Sequence, residues 1–338
     1  MSKRRGGGCL LRLFMFVVLL VALAVGGAVY RLASPYQGFQ HEVFLDFAKG
    51  TSTSSMADEL AAAGVIRRNW DFLLARALQP KTRLQAGEYR FAAPASVWTV
   101  FGRIVRGDVF YYEVTIPEGS NMFDVAQILD KLGFLKGADF LKVARRPALI
   151  KDLSPHAPSL EGYLFPSTYR LTRSTTAMQI ARQMTDLFRR RWQELQKPGA
   201  PVDVNRMVTL ASIVEKETGI ASDRPRVASV YANRLRLGMT LDCDPTTIYA
   251  ALLESRYRGV IHRSDLENEN AYNTYRHTGL PPGPIANSGM ASLQAALAPA
   301  QTDFLYFVAK PDGSGQHFFS TTLAEHNRHV QEYRRGMR

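Results

Sequence analysis

Residues 44–77, FLDFAKGTSTSSMADELAAAGVIRRNWDFLLARA, and residues 112–145, YEVTIPEGSNMFDVAQILDKLGFLKGADFLKVAR, carry one plan twice. Each opens as a strand, turns at a glycine (Gly50, Gly119), and continues with helical spacing of its apolar residues. Each then stops at a second glycine fourteen residues later (Gly64, Gly133) and restarts at an Asp-Phe-Leu, beginning at Asp71 and Asp139. Strand and helix periods alternating in so short a unit predict an α+β protein, with two copies of one small unit in tandem across 41–147.

On the N-terminal side, 31–40 (RLASPYQGFQ) reads as a short linker, and Leu13–Tyr30 (LFMFVVLLVALAVGGAVY) is eighteen residues without a charge. At ~1.5 Å per residue that helix is about 27 Å long, enough to cross a bilayer's hydrocarbon core. Lys3, Arg4, Arg5 and Arg12 precede it, so residues 1–12 are expected in the cytoplasm and everything after Arg31 outside the cytoplasmic (inner) membrane. The run is longer than the apolar part of a signal peptide and lacks a sharp small-residue cleavage site. That topology separates the two cysteines, Cys9 and Cys243, and leaves Cys243 as a small buried residue.

On the C-terminal side, from 148 to 338, the texture changes to that of a larger mixed α/β domain. Residues 159–169 are dense in aromatic and polar groups and lead into a strand. Helices are expected over Thr175–Lys197, from an Asp203 cap to Thr218, and over Arg226–Leu237. Residues 259–290, rich in Asn, Gly, Pro and Tyr, form a long structured loop of the kind that carries function. Phe304–Ala309 and His317–Ser320 make a hairpin, and Thr322 with Glu325 caps a last helix.

The chain has 338 residues and a net charge of +12. For a domain outside the cytoplasm this charge argues for an anionic surface or wall polymer and against nucleic acid. No phosphate-binding loop, H-E-x-x-H, G-x-S-x-G or dinucleotide fingerprint is present, and His262, His277, His317 and His326 lack ligand spacing, so no metal or cofactor is expected. What remains is carboxylate chemistry. Glu215 and Glu217 lie two residues apart on one helix, about 200° around its axis, so they cannot share one cleft. Both flank the apolar stripe of Met207, Leu210, Ala211 and Val214, and phasing does not choose between them. Glu217 sits in the last turn, where the helix dipole and apolar packing both disfavour its charge, as a general acid requires.

Five ordered blocks, LEGYLFPSTY (160–169), LASIVEKETG (210–219), VYANRLRLGMTLDCDPTTIY (230–249), AYNTYRHTGLPPGPIANSG (271–289) and LYFVAKPDGSGQHFFSTTLAEHN (305–327), resemble the YceG family of membrane-anchored endolytic murein transglycosylases. The second repeat also resembles a LysM module, which implies either glycan contact or a spacer. The family resemblance implies a lytic transglycosylase fold and cleavage of the N-acetylmuramic acid–β-1,4–N-acetylglucosamine bond of peptidoglycan strands. It implies 1,6-anhydro ends, with newly made strands and wall-synthesis enzymes as the surroundings. Glu217 becomes the catalytic acid; Glu161, Tyr163, Asn233, Asp244, Tyr272, Asn273 and Tyr275 fall in matched blocks as cleft lining. Cys243 stands where the pattern has Thr. Two alternatives stay open: a hydrolytic muramidase using Asp244 or Glu161 as second carboxylate, and a non-catalytic glycan-binding scaffold.

Overall fold

The computed structural model describes residues 7–196 and 202–336. Lys3, Arg4 and Arg5, which set the expected topology, and Lys197 lie outside the described residues. Contacts divide the chain between Tyr112 and Glu113 into two compact units. The tandem region read over 41–147 therefore straddles them, one repeat copy in each.

In the first unit, helix α1 (Gly7–Ala33) contains a 23-residue apolar span, Leu11–Ala33, with none of its most apolar window buried. Residues 31–40 are not a free linker. Leu32 is buried in the unit's core, Tyr36 bridges Ala95 through both backbone groups, and Gly38 N–H donates to Gly64. Strand β1 (Val43–Phe47), α2 (Thr53–Ala62), α3 (Asn69–Leu78) and β2 (Gly87–Phe91) form the first repeat. β1 and β2 pair antiparallel with Val43 opposite Phe91, and α4 (Val97–Arg106) follows. Phe47, Leu60, Phe72, Phe91 and Phe101 fill the core between helices and ribbon.

The second unit opens on the other copy. It comprises β3 (Tyr112–Thr115), α5 (Met122–Asp130), α6 (Gly137–Ala144) and, after a long excursion, β4 (Thr168–Leu171), which pairs with β3. Both copies thus close with a strand: β4 is the one expected after 159–169, whereas β2 is not announced by the sequence pattern. The paired glycines match in conformation: Gly50 and Gly119 have φ of 92° and 75°, Gly64 and Gly133 of 71° and 77°. All four lie in the left-handed region that a Cβ disfavours, which explains their shared spacing.

The rest is mainly helical: α7 (Ala177–Leu195), α8 (Val204–Glu217), α9 (Arg224–Arg236), α10 (Asp244–Leu253), α11 (Arg263–Leu266), α12 (Met290–Leu297) and α13 (Leu323–Gly336). One antiparallel hairpin, β5 (Tyr306–Ala309) with β6 (His317–Ser320), completes it. The mixed α/β domain expected here is thus helical with two small two-stranded ribbons. Helices α10 and α12 arise in stretches where no element was expected, and α11 lies within the expected 259–290 loop. Asp203 accepts from Arg206 N–H to cap α8, whose buried residues Val208, Leu210, Ala211, Ile213 and Val214 run through the core. In α7, Arg190 and Arg191 are exposed, while Arg189 clamps Asp152 with two hydrogen bonds.

Candidate active site

The last turn of α8 delivers Glu217 to a cavity of about 420 Å³. α9 contributes Tyr231 and Arg234, the start of α10 Asp244 and Pro245, and the turn before it Leu241 and Asp242. Tyr275 comes from the long loop, Tyr306 and Phe307 from β5, and Leu323 and His326 from α13. One helix end, a hairpin and two turns thus converge around a single partly buried carboxyl group.

The Cys243 thiol, 1% exposed, donates to Glu217 Oε1 at 3.1 Å. Burial raises the Glu217 pKa; contacts from Cys243 and the Tyr231 hydroxyl lower it by stabilising the anion, while nearby Asp244 raises it again. The net direction is upward, towards the protonated acid. The Cys243 and Tyr231 pKa values are raised well above their ordinary values, chiefly by burial, so both stay protonated and act as donors. Glu215 points elsewhere. It accepts from Gly289 N–H at 3.0 Å and lies 3.6 Å from Arg224, tying the start of α12 to α8. The half-turn between the two glutamates separates a structural carboxylate from one facing the cavity.

Arg234 organises one wall. Its guanidinium donates to the carbonyls of Leu305, Thr240 and Leu241 and to Asp242 Oδ2, and its charge lies 5.1 Å from the Tyr306 ring centre. Asp242 adopts φ 51°, a conformation few non-glycine residues hold, beside Cys243. His326 stacks on Tyr306 with ring centres 5.2 Å apart, and burial followed by the Arg234 charge lowers its pKa. The imidazole is thereby biased to the neutral form.

Of the eight residues expected at the site, Glu217, Asp244 and Tyr275 line the cavity, with the Tyr275 hydroxyl donating to Asp244 Oδ1 at 2.6 Å. The other five do not line it; they build its frame. Glu161 is fully buried and accepts from Met122 N–H, the Tyr249 hydroxyl and Asn287 Nδ2 at 2.8–3.0 Å. Tyr163 is a core ring whose hydroxyl meets Ser154 at 2.8 Å and Asn205 at 3.2 Å. Asn233 donates to the carbonyls of Thr302 and Phe304 and so holds the approach to β5. Tyr272 packs on Tyr249. Asn273 gathers the carbonyls of Asp265, Leu266 and Asn268, while its Oδ1 accepts from Thr247 and Tyr275 N–H. Matched sequence blocks mix framework and cavity residues; what each side chain packs against separates them. Tyr231, Arg234, Asp242, Tyr306 and His326 were missed although each lies in or beside a quoted block. The available signal was polar or aromatic residues on the helix and hairpin flanking Glu217.

Comparison with known proteins identifies the family of the chain. The profile of the YceG-like family matches residues 45–332. The chain is 32% identical over 312 residues to the endolytic murein transglycosylase of Bacillus subtilis (strain 168), covering 86% of this chain and 84% of that protein. It is 26% identical over 362 residues to the enzyme of the same name from Streptococcus pneumoniae serotype 2, covering 94% of this chain and 64% of that longer protein. The 2.6 Å crystal structure of a YceG-like protein from Listeria monocytogenes superposes with a TM-score of 0.53 at 32% identity, covering 86% of this chain and 99% of that one. With a profile match over most of its length and relatives above 30% identity, this chain belongs to the YceG-like family.

Proposed function

We propose that the chain is a membrane-anchored endolytic transglycosylase of peptidoglycan. It cuts the β-1,4 bond between N-acetylmuramic acid and N-acetylglucosamine in newly made strands, leaves 1,6-anhydromuramoyl ends, and so ends strand growth. The observation that carries this reading is one carboxyl group, its pKa raised by burial, opening on a cavity walled by phenols, an imidazole and an arginine. Family membership and the names of the relatives support the same chemistry.

Glu217 in its acid form gives its proton to the glycosidic oxygen as the bond to muramoyl C1 breaks. The resulting carboxylate then takes the proton of the C6 hydroxyl while O6 closes on C1, which restores the acid and consumes no water. One group serves in both directions, whereas hydrolysis requires two carboxylates about 5–5.5 Å or roughly 6.5–9.5 Å apart. Cys243 and Tyr231 steady the carboxylate between the two steps. Tyr275 and Tyr306 offer rings and hydroxyls to an acetamido sugar. The LysM-like repeats add glycan contact outside the cavity, and the single apolar helix keeps the cutter near strands that leave the membrane, within reach of wall synthases.

Asp244, in the same cavity as Glu217, favours hydrolysis as the second reading; Glu161, without solvent access, does not. Mass spectrometry of digested purified strands separates the two: ends lighter by one water are expected, and hydrated reducing ends would overturn the lyase assignment. Glu217→Gln is expected to cut at least about 10²-fold more slowly with its fold intact. A Glu217→Gln chain that cuts no strands yet supports normal wall growth in cells would favour a binding scaffold instead.

A further inference from the structure

The apolar run of α1 ends at Tyr30, and the next residue opens a basic hollow of about 520 Å³ lined by Tyr30, Arg31, Ser34, Tyr36, Arg67 and Arg68. It lies wholly within the first unit. The helix end is clamped there. Leu32, 2% exposed, sits in the core, and the Arg31 guanidinium lies 4.4 Å from the Trp70 ring centre and 3.3 Å from Asp71 Oδ2. A span that crosses a bilayer up to Tyr30 therefore holds this hollow at the depth of the lipid headgroups.

Its charge is unbalanced. Asp71 answers Arg31, but no carboxylate of the described residues pairs with Arg67 or Arg68, and Arg67 instead lies 4.8 Å over the Tyr36 ring. Arg31 Nε is buried without a hydrogen-bond partner. Tyr30 and Trp70 are exposed beside it, the residue types that settle at a membrane–water boundary. Guanidinium groups in this number, at this depth, match one chemistry, a phosphodiester that accepts paired N–H donors.

We propose that this hollow binds the headgroup phosphate of an anionic glycerophospholipid in the leaflet from which α1 emerges, a site that rests on α1 spanning the membrane. The lipid then orients the first unit on the bilayer surface, as well as α1 tethering it. The source is lipid rather than free phosphate because the hollow lies at the end of the span, where headgroups are concentrated.

The test uses the full-length chain in detergent micelles, titrated with phosphatidylglycerol or phosphatidylcholine and read by native mass spectrometry. Each arginine near an anionic lipid contributes about a fivefold gain in affinity, so Arg67 and Arg68 together confer a preference for phosphatidylglycerol of about thirtyfold. Arg67→Gln with Arg68→Gln is expected to erase it; both side chains are exposed, and circular dichroism checks the fold. Equal retention of the two lipids, a preference that survives the double variant, or displacement of the lipid by millimolar inorganic phosphate would each overturn the lipid site. An alkaline carbonate wash of native membranes tests the span separately. A chain released by the wash overturns the anchor, whereas a retained chain without lipid preference overturns only the headgroup site.

Discussion

At the scale of single residues, two buried carboxyl groups of this protein do different work because their surroundings differ. Glu217 meets a thiol and a phenol at the edge of a cavity, and burial pushes its pKa upward. In the proposed reaction its proton must be present for bond cleavage, so kcat/KM is expected to fall as pH rises through that raised value. A hydroxyl stabilises a carboxylate better than a thiol does. Cys243→Ser should therefore lower the Glu217 pKa and move the alkaline fall of the pH profile to lower pH. An unmoved profile would mean that the 3.1 Å thiol contact has no hold on the acid. Glu161 is enclosed, and burial pushes its pKa to about 8 against three inward-pointing donors. Its folded pKa lies above the unfolded one, so this group adds stability in full below about pH 4 and loses it as pH rises towards about 8. The thermal midpoint is expected to decline across that window. Glu161→Gln should flatten the decline while lowering the acid-side midpoint, since an amide nitrogen would face one of those donors.

At the scale of elements, the cavity depends on connections that side chains make to backbone. Cys243 N–H donates to Thr274 Oγ1, and Thr246 meets the same oxygen at 2.9 Å, so the start of α10 and the loop carrying Tyr275 move as one piece. Gly162 allows the 160–169 turn to lie against its neighbours, since a Cβ there would stand 2.4 Å from Pro284 and 2.8 Å from Val208. The hairpin depends on α9 in the same way: Asn233 holds two carbonyls just before β5, and Asp223 accepts both the backbone N–H of His317 at 2.8 Å and its ring nitrogen's contact at 3.1 Å. Asn233→Ala leaves two carbonyls without their donor and is expected to cost about 1–3 kcal/mol, read as a lower urea midpoint. Because Tyr306 and Phe307 lie on that strand, KM for purified strands should rise as well. An unchanged midpoint would show that water replaces the amide freely.

At the scale of the whole molecule, every residue lining the cavity belongs to the second unit, which has its own contiguous core. Residues 113–338 expressed alone are therefore expected to cut purified glycan strands in solution at a rate within about tenfold of the full chain, because neither positioning nor acidity at Glu217 draws on the first unit. A folded but inactive fragment would place an essential contact elsewhere. In the proposed function the first unit, with its apolar helix and basic hollow, determines where cutting takes place.

Much of this was readable from residue order alone. The apolar span, the twin repeats with their spaced glycines, the Asp203 cap, the hairpin and the opposition of Glu215 to Glu217 all follow from period and local chemistry, which act over a few residues and leave a mark in one stretch of chain. The closing strand β2 and the helices α10 and α12 left no such mark, and the strand after 159–169 gave no sign of its partner β3, because partners distant in sequence complete them. The site divides in the same way. The blocks that resemble the family nominated Glu217, Asp244 and Tyr275, which line the cavity, and equally nominated Glu161, Tyr163, Asn233, Tyr272 and Asn273, which do not. Whether an amide or phenol faces a cavity or a carbonyl depends on what packs against it from other parts of the chain. Only the tertiary structure supplies those neighbours, and burial among them also sets the acidity of Glu217.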